Sequence, residues 1–106
     1  MSPLVSLLLA AQPAAPALPD DPPEIVVVAE RLQRLSVNVA QDRGGVWHCS
    51  LSASSGVERL DARLCTEVTK CVQQGAATQA AITECIGGEK ARLVRHYRRE
   101  WREHAQ

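Results

Sequence analysis

Phenylalanine is absent from this 106-residue chain, which carries only two tryptophans, one tyrosine and one methionine. A core built without Phe must be aliphatic, and the runs of Val, Leu, Ile and Ala are what remain to build it. Net charge is missing too, with twelve basic residues set against twelve acidic ones. That balance removes any argument from overall charge for nucleic acid or for a membrane. No apolar run reaches the about 20 residues that cross a bilayer. Also missing are C-x-x-C, which redox enzymes and zinc sites use, G-x-S-x-G, and any metal-binding motif that would organise the histidines.

What the chain does have is four cysteines. An even count in a short chain reads as a disulfide framework and an oxidising compartment, and four cysteines allow about three connectivities. Residues 1–17 read as a secretory signal peptide: an apolar run over 4–11 leads to an Ala-Pro-Ala stretch that offers small residues for cleavage. Residues 18–23 form a Pro- and Asp-rich extended linker. A single small domain, 24–106, follows, and the expected location is periplasmic or secreted. Charge is uneven along the chain, because six of the twelve basic residues lie at or beyond Lys90.

Hydrophobic periodicity predicts an α+β fold, a small antiparallel sheet of two or three strands packed on two or three helices and stapled by disulfides. Glu24, Ile25, Val26, Val27, Val28 and Ala29 are a short β-branched run after Pro23 and predict a strand, a candidate strand-pairing edge. Leu35, Val37 and Val39 alternate with polar residues and predict a second strand. Asp42-Arg43-Gly44-Gly45 is a hairpin turn, and the next strand puts Trp47, Cys49 and Leu51 on one side and His48 and Ser50 on the other. Ser55 and Glu58 have capping-box spacing. From there Val57, Leu60, Leu64, Val68, Cys71 and Val72 mark one helical face, ended by Gly75. Thr78 caps a second helix carrying Ala81, Ile82, Cys85 and Ile86, which Gly87-Gly88 are expected to break or kink. A last helix sets Leu93, Val94, Tyr97 and Trp101 on one stripe and Arg92, Arg95, Arg99 and Arg102 on another.

Helix rise chooses among the cysteine pairings. Cys65 and Cys71 on one helix lie about 9 Å apart, beyond the roughly 7 Å that a disulfide spans. Folding the helix back along its strand from Ser55 brings Cys49 opposite Cys71, about 20 Å from the corner by strand rise. A helical turn near Ala76 then brings Cys85 closer to Cys65. The expected bonds are Cys49 with Cys71 and Cys65 with Cys85. A zinc site on Cys49, Cys65, Cys71 and His48 lacks a close chelating pair, and His48 points away from Cys49. No cofactor and no metal are expected. His48, His96 and His104 read as surface histidines without triad partners.

Residues 45–65 resemble part of the C-terminal domain of TonB energy transducers, in which a strand hairpin leads to a Ser-Ser-Gly corner and a helix opening with Leu-Asp. Here those are Ser54-Ser55-Gly56 and Leu60-Asp61. The run over 24–29 also looks like the short box by which outer-membrane receptors offer a strand to that domain. Residue 73 onward reads as helix where the family has a further strand, so the chain resembles a stand-alone relative of the hairpin-plus-helix unit and not a transducer. The resemblance implies a non-catalytic module that binds a protein or peptide of the cell envelope through a sheet edge. An alternative is a monomer that associates weakly with an anionic membrane surface through the arginine face, Arg92, Arg95, Arg99 and Arg102. Nothing converges into an enzyme site, and nucleic acid is not an expected partner.

Overall fold

The computed structural model describes residues 17–104. Nearly all of the expected signal peptide lies outside these residues. The described elements run α1 (Pro23–Arg34), β1 (Val37–Gln41), β2 (Trp47–Leu51), α2 (Glu58–Gln73) and α3 (Gln79–His104). The fold is α+β, with two antiparallel strands, three helices and two disulfides.

The first correction concerns α1. Glu24, Ile25, Val26, Val27, Val28 and Ala29 are helical, not a strand edge, and their N–H and C=O groups are turned into the helix. Pro23 starts the helix where its missing N–H costs nothing, Glu24 sits in the first turn, and Arg31 and Arg34 sit in the last. The apolar period becomes visible only when the run is extended: Ile25, Val28, Ala29 and Leu32 form one buried stripe. Burial decides the conformation. β-Branched residues lose about 0.5 kcal/mol each in a helix relative to Ala, whereas burying an Ile, Val or Leu side chain returns about 1.5–3 kcal/mol.

Strands β1 and β2 pair from Val37 with Leu51 to Gln41 with Trp47. The expected turn closes them. Asp42 Oδ1 accepts hydrogen bonds from Gly44 N and Val46 N, and Gly45 takes a positive φ of 85°. Val37, Val39 and Leu51 pack against the core from the face that looks at α2.

α2 is the spine of the domain. Leu60, Leu64 and Val68 are at most 1% exposed and belong to one buried cluster with Val28, Ala29 and Leu32 of α1, which packs on α3, and with Leu93 and Val94 of α3. The expected capping box at its start is absent: Val57 is the N-cap and makes no side-chain cap bond. Asp61 serves the corner instead, accepting from Ser54 Oγ and Ser55 N. Ser55, fully buried, bonds its own corner by accepting from Val57 N and donating to Val57 O. At the other end Gly75, φ 116°, closes the helix as expected, with Ala76 N donating to Cys71 O and Gly75 N to Val72 O.

α3 opens as expected on Thr78, whose Oγ1 accepts from Ala81 N at 3.0 Å. It then runs unbroken through Gly87 and Gly88. Two glycines cost about 2 kcal/mol of helix propensity, but the helix is held on both sides of them. Cys85 is bonded to α2 before the pair, and Lys90, Leu93 and Val94 are buried after it.

The disulfides join Cys49 to Cys65 and Cys71 to Cys85, with Cα separations of 5.7 and 6.5 Å. All four cysteines are bonded, but the partners differ from those expected. The strand ends at Leu51 and residues 52–57 turn the corner, so Cys49 lies beside the middle of α2 at Cys65 and not about 13 helical residues up at Cys71. Cys71 continues the Leu60–Leu64–Val68 stripe toward the helix end, whereas Cys65 lies to one side of it. Cys65 has the sheet side and Cys71 the α3 side.

Non-reducing trypsin digestion distinguishes these pairings. Peptide 44–59 should appear joined to 64–70, while 71–90 runs alone, two hydrogens lighter than its reduced form. The other pairing would link all three peptides. Replacing either cystine by two alanines should lower stability by about 3 kcal/mol, the value for loops of this length, read from denaturant midpoints.

Candidate functional site

Three surfaces have functional potential, and two buried charges position them. Lys90, 8% exposed, lies on the apolar stripe of α3 and reaches across to the end of α1, where its Nζ donates to Leu35 O at 2.6 Å. An ammonium at a helix C-terminus satisfies orphan carbonyls and suits the dipole. Burial pushes the Lys90 pKa below its ordinary value. Arg98 holds Asp21 in a two-pronged bridge, Nε to Oδ1 at 2.7 Å and Nη2 to Oδ2 at 2.9 Å. Their side chains are 11% and 2% exposed. The bond from Arg98, with the Leu18 N–H behind it, holds the Asp21 carboxyl below its usual range against the opposing effect of burial. Residues 18–21 are thereby docked on α3 instead of extending freely.

The first surface is the outer margin of the hairpin. Ladder bonds alternate along an antiparallel pair. Here Ser52 N bonds Ser36 O at one end and Asp42 N bonds Val46 O at the other. The pairs that bond each other are therefore Asn38 with Ser50 and Ala40 with His48. The N–H and C=O groups of Val37, Val39 and Gln41 face outward on one edge, and those of Trp47, Cys49 and Leu51 on the other. Neither edge pairs with another strand among the described residues. Beside the β2 edge lies an open groove of about 400 Å³, with Trp47 and the Cys49–Cys65 bond on one side and Thr66, Thr69 and Lys70 of α2 on the other.

The second surface is the arginine face of α3. Arg92, Arg95, Arg99 and Arg102 are all exposed, as a solvated stripe requires, while Leu93 and Val94 are buried and Tyr97 and Trp101 half-buried. Arg92 lies 3.4 Å from Glu89, whose Oε1 has no hydrogen-bond partner among the described residues. Arg95 and Arg99 form no ion pair there.

The third surface is a groove of about 340 Å³ between α1 and the corner, lined by Pro23, Val27, Val57 and Tyr97 with Glu24 and Arg31. Glu24 Oε2 accepts from Trp101 Nε1 at 2.7 Å. The Arg31 guanidinium lies against Gly56, whose φ of 94° favours glycine. Sequence reading missed this contact.

Comparison of the chain with protein-family models, with curated proteins and with solved structures finds no match. The chemistry of its surfaces therefore rests on their own geometry. His48 Nε2 meets Asp42 Oδ2 at 2.8 Å, and the Asp42 carboxyl is held below its ordinary pKa first by that bond and then by the Val46 N–H. His96 lies 3.2 Å from Glu100 Oε1, and His104 Nδ1 meets Glu100 O. Among the described residues no group of three His, Cys, Asp or Glu is placed to hold a metal. No described helix is long and apolar enough to cross a membrane. Two disulfides in so short a chain point to an oxidising, extracellular compartment.

The Asp21–Arg98 bridge has a direct consequence for acid stability. A carboxyl with a folded pKa below its unfolded 3.8 stabilises the fold above pH 3.8, and that contribution is lost as pH falls through the folded value. Asp21→Asn should cost about 1.5 kcal/mol at neutral pH by weakening the charged bonds to Arg98. It should also flatten the stability loss below pH 3.8, as read by urea titration across pH.

Proposed function

We propose that the chain is a small exported, non-catalytic binding module that takes an extended polypeptide at an open edge of its hairpin. The observation that carries this reading is the row of outward N–H and C=O groups on Val37, Val39 and Gln41, and on Trp47, Cys49 and Leu51 opposite. Such rows repeat about every 6.7 Å and pair with any extended chain. The groove between β2 and α2 leaves space for an added strand's side chains. The Ser-Ser-Gly corner after the hairpin agrees with the resemblance to TonB C-terminal domains, and the binding strand would come from an envelope protein. Export through a cleaved leader to the periplasm accords with the two disulfides.

A second reading assigns the exposed arginines of α3 to an anionic membrane surface. The exposure of all four supports it. It requires vesicle binding that weakens with salt and is lost on joint Arg95→Gln and Arg99→Gln substitution.

The strand-addition reading is tested by amide hydrogen exchange with a pool of unstructured hexapeptides in millimolar excess. Alternate amides of one edge, 37, 39 and 41 or 47, 49 and 51, should gain protection. Gln41→Pro or Trp47→Pro, which remove an outward N–H and spare the ladder, should abolish it on the matching edge. Unchanged exchange at both edges would sink the reading.

A further inference from the structure

The groove beside the corner is chemically distinct from the hairpin edges. Glu24 and Arg31 stand seven residues apart on α1, about 10 Å by helix rise, and both line the same concave surface. Between them the walls are apolar: Pro23 and Val27 from α1, Val57 from the corner, and Tyr97 from α3. Val27 is 42% exposed, one of few large apolar side chains left in solvent among the described residues. The two charged ends differ in sign and are fixed differently. The Glu24 carboxylate is held by the Trp101 indole through one oxygen. The Arg31 guanidinium is laid across Gly56, yet it has no hydrogen-bond or ion-pair partner among the described residues.

From this juxtaposition we infer that the groove between α1 and the Ser55–Val57 corner binds a short extended peptide with free termini and apolar side chains. Its ammonium lies toward Glu24 and its α-carboxylate toward Arg31. Length selects the peptide: three extended residues span about 10 Å, the separation of the two charges. Charge complementarity at both ends selects it over a fatty acid, which offers nothing to Glu24, and over an amine, which offers nothing to Arg31. An apolar floor with few convergent polar groups is the usual make-up of a small-ligand site. Gly56, whose φ of 94° favours glycine, lets the guanidinium lie close to the corner backbone, and a Cβ there would have to displace its tip.

The test is calorimetric titration of the disulfide-bonded chain with the tripeptide Leu-Val-Leu, its C-terminal amide and its N-acetyl form. The free tripeptide should bind best, and blocking either end should weaken it about fivefold, as expected for one partly exposed ion pair. Arg31→Gln should erase the difference between acid and amide alone, and Glu24→Gln, which keeps an acceptor for Trp101, the difference between amine and N-acetyl alone. Both side chains are exposed, and a third variant, Val27→Asp, should weaken all three ligands without touching either charge. The inference is overturned if amidation costs the unmodified protein nothing, or if no form of the tripeptide binds. It is equally overturned if sedimentation shows a second copy covering the groove in a dimer that Val27→Asp dissolves. Amide protection appearing only at 37–41 or 47–51 would also overturn it while leaving strand addition standing, so the two readings fail separately.

Discussion

α2 has one apolar stripe and must share it among three neighbours, and everything else in the domain depends on that constraint. Leu60, Leu64 and Val68 are almost wholly buried, yet the partners that cover them are a two-stranded hairpin, a twelve-residue helix and one face of α3. None of these would be stable alone; a lone hairpin is marginal in water, and so is an isolated helix of twelve residues. The cystines solve this by fastening the spine at two points, its middle and its C-terminal end. Cys65 holds the hairpin and Cys71 holds the start of α3. α1 has no cystine, and polar bonds on α3 take that place, Lys90 at its C-terminal end and Arg98 through Asp21 at its N-terminal approach. The molecule is thus closed covalently on one side and electrostatically on the other.

The two closures respond to different conditions. Cystines are indifferent to acid and yield to reductant, whereas the Asp21–Arg98 bridge is indifferent to reductant and yields to acid. Because α1 carries one wall of the corner groove, acid should loosen that groove before it disturbs the hairpin, which Cys49 anchors independently. A chain in an oxidising compartment of variable pH would keep its hairpin edge under conditions that weaken the tie at the N-terminal approach to α1.

Much of this architecture was legible in the sequence, and the errors have physical causes. The hairpin, its Asp-Arg-Gly-Gly turn, the α2 face, the Gly75 stop and the Thr78 cap follow from local chemistry, and each is present. The run 24–29 was misleading because four consecutive β-branched residues hide a helical period that only Leu32 reveals. Helix continuity through Gly87-Gly88 is a tertiary effect, since the support comes from Cys85 and Lys90, and no local signal carries it. The cystine partners turned on how much height the corner gains, which residue counting overestimated. Lys90 and Arg98 left a usable trace: both fall on the apolar stripe with Leu93, Val94 and Tyr97, where a cation requires a buried acceptor. The placing of Arg31 left none, because it depends on a glycine twenty-five residues away.

That glycine bears on how the corner should be understood. A Ser-Ser-Gly sequence before a helix is first a structural device. Asp61 takes Ser54 and Ser55, Ser55 closes on Val57, and a positive φ at Gly56 turns the chain into α2. All of this would be satisfied with Arg31 extended into solvent. Instead the guanidinium rests on Gly56 beside an apolar floor, exposed to solvent and without a protein partner among the described residues. An exposed cation placed so keeps its water and costs the fold little. The corner is thus complete as a structural device without Arg31, and the guanidinium beside it is the charge on which the peptide proposal rests.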